Sequence, residues 1–167
     1  TAKLGIGGLR ELGMSYIPSD RMTLGIVATM SIEENLITTK INKPLLYNRF
    51  KLMAKPRINK LSAELVEEYR VKCNSAQTLV EMLSGGNIQK VVVAREFSQD
   101  NTRLIIAEQP TRGIDVGAAK FIHEKLISLR DSGYAVLLVS ADLEELYRLS
   151  DSILVMYNGQ LSAYIAN

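Results

Sequence analysis

Ser84-Gly85-Gly86, followed by Asn87-Ile88-Gln89-Lys90, is the stretch of this sequence best suited to holding an anion. A serine and two glycines at the start of a helix present a hydroxyl and closely approachable backbone amides. The helix N-terminus adds about half a positive charge. That chemistry fits a phosphate. By itself the tripeptide reads more often as a plain loop capping a helix, so its neighbours must decide. Other chemistry is thin. One histidine, His123, argues against a multi-histidine metal site, and one cysteine, Cys73, excludes an internal disulfide framework and a cysteine-rich zinc site. His123 reads as a surface or hydrogen-bonded residue in mid-helix, and Cys73 as an inert small residue. Lys51, Lys55, Arg57 and Lys60 form a basic stretch, read first as a solvated face and second as a face drawn to anionic lipid headgroups. Glu144 and Glu145 stand where a helix begins and read as partners of its dipole.

These residues need elements to position them. The chain has 167 residues, 47% hydrophobic and 23% charged, which fits about one globular domain. Its net charge of +2 excludes both a nucleic-acid glove by charge alone and an acidic disordered tail. No apolar run approaches the ~20 residues of a membrane helix. Met14 to Ile17 reads as a buried strand stopped by Pro18. Ser31-Ile32-Glu33-Glu34 is a capping-box pattern that should start a helix through about Thr38. Pro44 and Pro56 read as breakers. Ile58, Leu61, Leu65, Val66 and Tyr69 follow helical spacing, and Asn87 to Phe97 reads as another helix. From about Arg103 the pattern alternates: a strand at Leu104–Ala107, a helix at Val116–Arg130, a strand at Ala135–Val139, and a short helix at Asp142–Leu149. Asn158-Gly159 between two apolar runs signals a hairpin. The first part is therefore mostly helical, and the second argues a parallel sheet with buried strands. So small a sheet belongs to something larger, and Thr1 to Gly13 reads as cut rather than begun.

Leu83 to Lys90, with Val91 to Glu96 after it, resembles the signature motif and helix of ABC ATPases. Leu104-Ile105-Ile106-Ala107-Glu108-Gln109-Pro110-Thr111-Arg112-Gly113-Ile114-Asp115 resembles a Walker B strand running into the D-loop. Leu137 to Asp142 is similar to the strand leading to the switch-histidine loop, and Tyr16 to Arg21 to the Q-loop region. The order and gaps match across almost the whole chain. The Thr-Arg-Gly-Ile-Asp form and the Gly-Gly-Asn signature look like the second ATPase domain of tandem nucleoside and simple-sugar importers, with Ala107-Glu108-Gln109-Pro110 closer to the nucleoside branch, the basic-membrane-protein type.

The resemblance implies an α/β fold, a partial P-loop NTPase: residues 1–30 as Q-loop region, 31–98 as helical subdomain with the signature, 99–167 as ATPase core. It implies ATP and magnesium as cofactors. The partners implied are another ATPase domain, transmembrane permease subunits and, indirectly, an external binding protein, at the cytoplasmic face of the membrane. Ser84, Gly85, Gly86 and Gln89 would face the partner domain's ATP, with Asp115 in the D-loop and Ser19 at the Q-loop glutamine position. The chain departs from the pattern elsewhere. No G-x-x-x-x-G-K-[ST] occurs in it. Glu108 stands at the magnesium-associated aspartate, Gln109 at the catalytic glutamate and Ala141 at the switch histidine. An amide can orient water but cannot take its proton near neutral pH. The expectation is a domain that donates its signature while its own site is degenerate. Two rival readings remain: a non-transport ABC-type ATPase, and a structural or regulatory pseudo-ATPase domain. Self-association of the chain alone, through an open sheet edge, is also expected.

Overall fold

The computed structural model describes residues 4–166, so Thr1, Ala2 and Lys3, the start of the Thr1–Gly13 stretch, lie outside the described residues. The chain runs α1 (Ile6–Glu11), β1 (Met14–Ile17), α2 (Ile32–Ile37), α3 (Lys55–Glu68), α4 (Gly85–Phe97), β2 (Leu104–Glu108), α5 (Val116–Asp131), β3 (Ala135–Val139), α6 (Leu143–Leu149), β4 (Ser152–Tyr157) and β5 (Gln160–Ala166). Strands β1, β2 and β3 form a parallel sheet in that order, and β4 pairs antiparallel with β5. The hairpin turns at Asn158 (φ 47°) and Gly159 (φ 74°), the two left-handed residues that a tight hairpin needs.

Local signals account for most of these bounds. Ser31 accepts from the Glu34 amide while the Glu34 carboxylate accepts from the Ser31 amide, closing the expected capping box. Pro56 is not a breaker. It sits in the first turn of α3, where a missing N–H removes no helical bond, so the helix begins before Ile58. Helix α1 and a wide π turn at Arg21–Gly25 were not legible, because each is short and neither carries a capping box like the one that marked α2. Asp20 caps that turn, accepting from Met22 and Thr23.

Helix α4 is the centre of the packing. Val91, Val92, Val93 and Ala94 are all buried, so the helix has no solvent stripe along this stretch. It lies against β1, α2, α3 and α5 at once. One hydrophobic cluster runs from Leu36, Leu65 and Val80 in the helical layer through α4 to Ile17, Ile105 and Ile122. A smaller cluster of Ile37, Leu46 and Ile58 anchors the 41–53 loop.

The sheet departs from the expectation of buried strands. Ile17, Ile105 and Ala107 are buried under the helices, whereas Leu137 and Val139 on β3 are 49% and 46% exposed. Side chains alternate across a strand, so one face is covered and the other is open at β3. Among the described residues, no helix is long and apolar enough to cross a membrane.

Candidate functional site

Three loops leave the same edge of the parallel sheet. Pro18-Ser19 follows β1, Gln109-Pro110 follows β2 and Ser140-Ala141 follows β3, because Ile17, Ala107 and Leu138 lie in register. In open parallel sheets this carboxyl edge is where ligands bind. The structure thus gathers Ser19, Glu108, Gln109 and Ala141, which lie far apart in sequence.

Glu108 ends β2. Its Oε2 accepts from the Tyr16 hydroxyl at 2.6 Å, one strand away. The Tyr16 hydroxyl first, and then the Ser19 hydroxyl and amide, hold the Glu108 carboxyl below its usual range. The same bond pushes the Tyr16 hydroxyl up. The carboxylate is therefore already engaged, and no group of three or more His, Cys, Asp or Glu among the described residues could hold a metal.

Gln109 has a left-handed backbone (φ 47°), uncommon away from glycine and typical of over-determined functional turns. Its amide donates to Val139 at 2.7 Å, and its carbonyl accepts from Arg112 at 3.1 Å. Ala141 is exposed and offers no polar side-chain atom. Asp142 beside it caps α6, accepting from Glu144 and Glu145.

Ser84 precedes α4, exposed, as the anion reading requires. Its hydroxyl accepts from Asn87 Nδ2 at 3.0 Å, and Asn87 Oδ1 in turn accepts from the Lys72 amide at 2.9 Å. Gly85 faces Arg21. That guanidinium donates to the carbonyls of Arg112 (2.7 Å) and Gly113 (3.1 Å), binding the turn after β1 to the loop before α5. Gly86 packs instead against Asp115, whose carboxylate caps α5 by accepting from the Ala118 amide at 2.9 Å and is held well ionised by that bond. The N-termini of α4 and α5 thus meet beside a fixed arginine, a favourable setting for negative charge. Gln89 does not share this surface. It is 2% exposed within α4, because one turn past the glycines the helix has entered the core.

Sequence reasoning missed two site residues. Arg21 carried no motif beyond lying in the Q-loop region. Glu145 was read as a dipole partner, yet it is 3% exposed. Its Oε1 takes Thr111 Oγ1 at 2.8 Å and lies 2.7 Å from His123 Nε2, while its Oε2 is buried without a partner. His123 is therefore the hydrogen-bonded histidine expected. The three residues tie the turn after β2, helix α5 and helix α6 together, and only their tertiary meeting reveals it.

No family model matches the chain. In sequence it is similar to the guanosine import ATP-binding protein NupO of Bacillus subtilis, 42% identical over 158 residues, covering 94% of this chain and 30% of that protein. It is also similar to the nucleoside import ATP-binding protein NupA of Lactococcus lactis, 37% identical over 158 residues, covering 95% of this chain and 31% of that one. The ribose import ATP-binding protein RbsA of Clostridium tetani is 35% identical over 156 residues, with 93% of this chain and 30% of RbsA covered. The chain thus spans about 30% of the length of the curated relatives it matches. Among solved structures, a dimeric bacterial ABC transporter cassette superposes with a TM-score of 0.78 at 22% identity, covering 99% of this chain and 69% of that chain. The same kind of cassette in a post-hydrolysis state, bound to ADP and Pi, gives 0.76 at 22% identity, over 95% of this chain and 64% of that one. The parallel three-stranded sheet with its flanking helices is an ABC ATPase cassette fold, and in sequence the chain is related to the ATP-binding proteins of nucleoside and sugar importers.

Proposed function

We propose that this chain is part of the energy-coupling subunit of an ABC importer for a nucleoside or simple sugar, as the second of two ATPase domains. In this reading it offers its Ser84–Gly86 loop to the ATP of the partner domain, while its own sheet-edge site is degenerate. The observation that carries the reading is the contrast between two surfaces. At the first, exposed Ser84 and half-buried Gly85 open a 13-residue helix beside the Arg21 guanidinium. At the second, Gln109 and Ala141 stand where a proton acceptor and a polar switch residue would be needed, and Glu108 is engaged by Tyr16.

The residues act by position. The Gly85 amide and the Ser84 hydroxyl are hydrogen-bond donors for a phosphate, and Arg21 holds the adjoining 112–113 backbone in place. ATP, when bound across the domain interface, supplies the phosphoryl chemistry, with magnesium accompanying the nucleotide. Gln109 orients water without accepting its proton. The proposed partners are a second ATPase domain and transmembrane permease subunits, which place this chain at the inner face of the membrane. Similarity to NupO, NupA and RbsA supports the substrate class.

The test is permease-coupled ATPase turnover in the full-length assembly. Gly85→Asp pairs a carboxylate with Arg21 and opposes the phosphates, so turnover should fall ~10²–10³-fold, as for loss of a preorganised donor. Gln109→Ala should leave turnover near the wild-type value. The opposite ranking would invert the assignment of the working site. The 167-residue chain alone should show no micromolar Mg-ATP site by calorimetry, because an exposed helix end contributes only ~0.3–1 kcal/mol.

A further inference from the structure

Between Glu34 and Glu64 the chain has no acidic residue, yet this stretch holds seven of its twenty lysines and arginines and none of its eighteen acids. Lys40 is buried, whereas Arg49, Lys51, Lys55, Arg57 and Lys60 are all exposed. Arg49, Lys51, Lys55 and Arg57 make no salt bridge among the described residues, unlike Lys43 (with Asp100) and Lys60 (with Glu64). The same stretch exposes large apolar side chains: Phe50 is 67% and Leu52 65% exposed, with Ile41, Leu45 and Met53 beside them in the chain. The exposed cations and the exposed apolar side chains thus alternate within one stretch of chain.

That stretch is built. Tyr47 and Met53 form an antiparallel bridge, and Asn48 Oδ1 accepts from the amides of Phe50 (2.9 Å) and Leu52 (3.1 Å). Lys51 turns the chain with a left-handed backbone (φ 59°). Beneath, Leu46 and Ile58 fix the loop in the smaller core, and the Tyr47 hydroxyl donates to the Ile41 carbonyl. Arg49 lies over the Phe50 ring at 4.6 Å, so a cation and an aromatic share the tip.

We infer that the 41–60 surface docks on an anionic lipid bilayer, with Phe50 and Leu52 entering the interface and the surrounding cations meeting headgroup phosphates. Charge complementarity selects the partner. A protein partner of mixed charge would leave these cations unmatched, whereas a sheet of anionic headgroups matches all of them. Exposed apolar groups ringed by lysine and arginine are the pattern of interfacial binding. The inference does not depend on the ATP reading above.

The chain has no tryptophan, so Phe50→Trp is a single-site reporter. It should shift its emission to the blue with vesicles of 70% phosphatidylcholine and 30% phosphatidylglycerol (about a third anionic, a level at which polybasic segments bind), and not with pure phosphatidylcholine. In co-sedimentation, Arg49→Gln with Lys51→Gln should weaken partition onto the anionic vesicles more than tenfold, each cation near the surface contributing about fivefold. Phe50→Ser with Leu52→Ser should weaken it about tenfold or more. Lys120→Gln with Arg148→Gln removes equal charge elsewhere and should change it less than threefold. Circular dichroism checks that each variant is folded. Equal partition onto neutral and anionic vesicles, or loop and control variants that behave alike, would overturn the inference. So would loop variants that keep vesicle binding but lose assembly with the transmembrane subunits, since the partner would then be protein.

Discussion

Gly85 and Gly86 are neighbours in the chain with different roles. A methyl group on Gly85 would meet the Arg21 guanidinium at 3.0 Å, which a shift of a few tenths of an ångström relieves, and the Gly113 carbonyl at an ordinary 3.5 Å. On Gly86 it would lie 2.6 Å from the Asp115 carboxylate and 3.0 Å from the Ala118 methyl. Gly86→Ala is expected to cost about 1–3 kcal/mol, as overpacking does. Gly85→Ala should stay within about 0.5 kcal/mol, and urea midpoints of the two variants check the difference. The sequence marked both glycines for the phosphate. Only packing shows that Gly86 also lets α4 approach the capped end of α5. A second residue-scale prediction concerns Glu108. Tyr16 is the first cause of its lowered carboxyl pKa, so Tyr16→Phe should raise that pKa toward the ordinary value in an NMR titration. A lowered carboxyl pKa stabilises the fold above the unfolded value and is lost as pH falls through the folded one. The stability gap between wild type and Tyr16→Phe should therefore narrow as the pH drops through the carboxylate range.

At the scale of elements, side chains buried at junctions hold the site loops in place. Thr111 donates to buried Glu145, whose other oxygen already lacks a partner. Thr111→Val should cost about 1–3 kcal/mol by leaving more of a buried carboxylate unsatisfied, while Thr111→Ser should restore most of it. Chemical denaturation of the pair tests this. Lys40 makes a different junction. It is 4% exposed, donates to Ser98 Oγ at 2.7 Å, and burial pulls its pKa down to about 8. Between that value and the unfolded one, the unfolded chain binds more protons, so stability rises with pH on this account. From pH 7.5 to 9.5, wild type should gain about 2 kcal/mol relative to Lys40→Met. No gain would mean the lysine is solvated. Neither junction was legible as such. The sequence placed Glu145 correctly at a helix start, and nothing local says that its side chain turns inward to Thr111 and His123.

At the scale of the molecule, the apolar surface is unevenly covered. Met156 and Leu161 are register partners in the β4–β5 hairpin, 67% and 63% exposed, and Leu137 opens the β3 side of the parallel sheet. An open edge with exposed apolar side chains favours pairing between copies. In sedimentation velocity, the weight-average mass of the 167-residue chain should rise with concentration. Met156→Lys with Leu161→Lys should hold it near the monomer mass. Equal behaviour of the two proteins would place any association elsewhere.

The sequence by itself determined the parts whose causes are local. Ser31 and Glu34 close a box within four residues, Asn158-Gly159 supplies the two left-handed residues of the hairpin, and the apolar runs at Met14, Leu104 and Ala135 have the length and composition of parallel strands. It also named the residues at the strand ends, through their resemblance to ABC ATPase motifs. Tertiary structure decided what depends on residues far apart in the chain. It joined Tyr16 to Glu108, Arg21 to the 112–113 backbone, and Glu145 to Thr111 and His123, and it buried Gln89 while leaving Ser84 exposed. The physical reason is that a hydrogen bond or a burial between distant residues depends on where two elements pack, and the residues at either end carry no local trace of that packing.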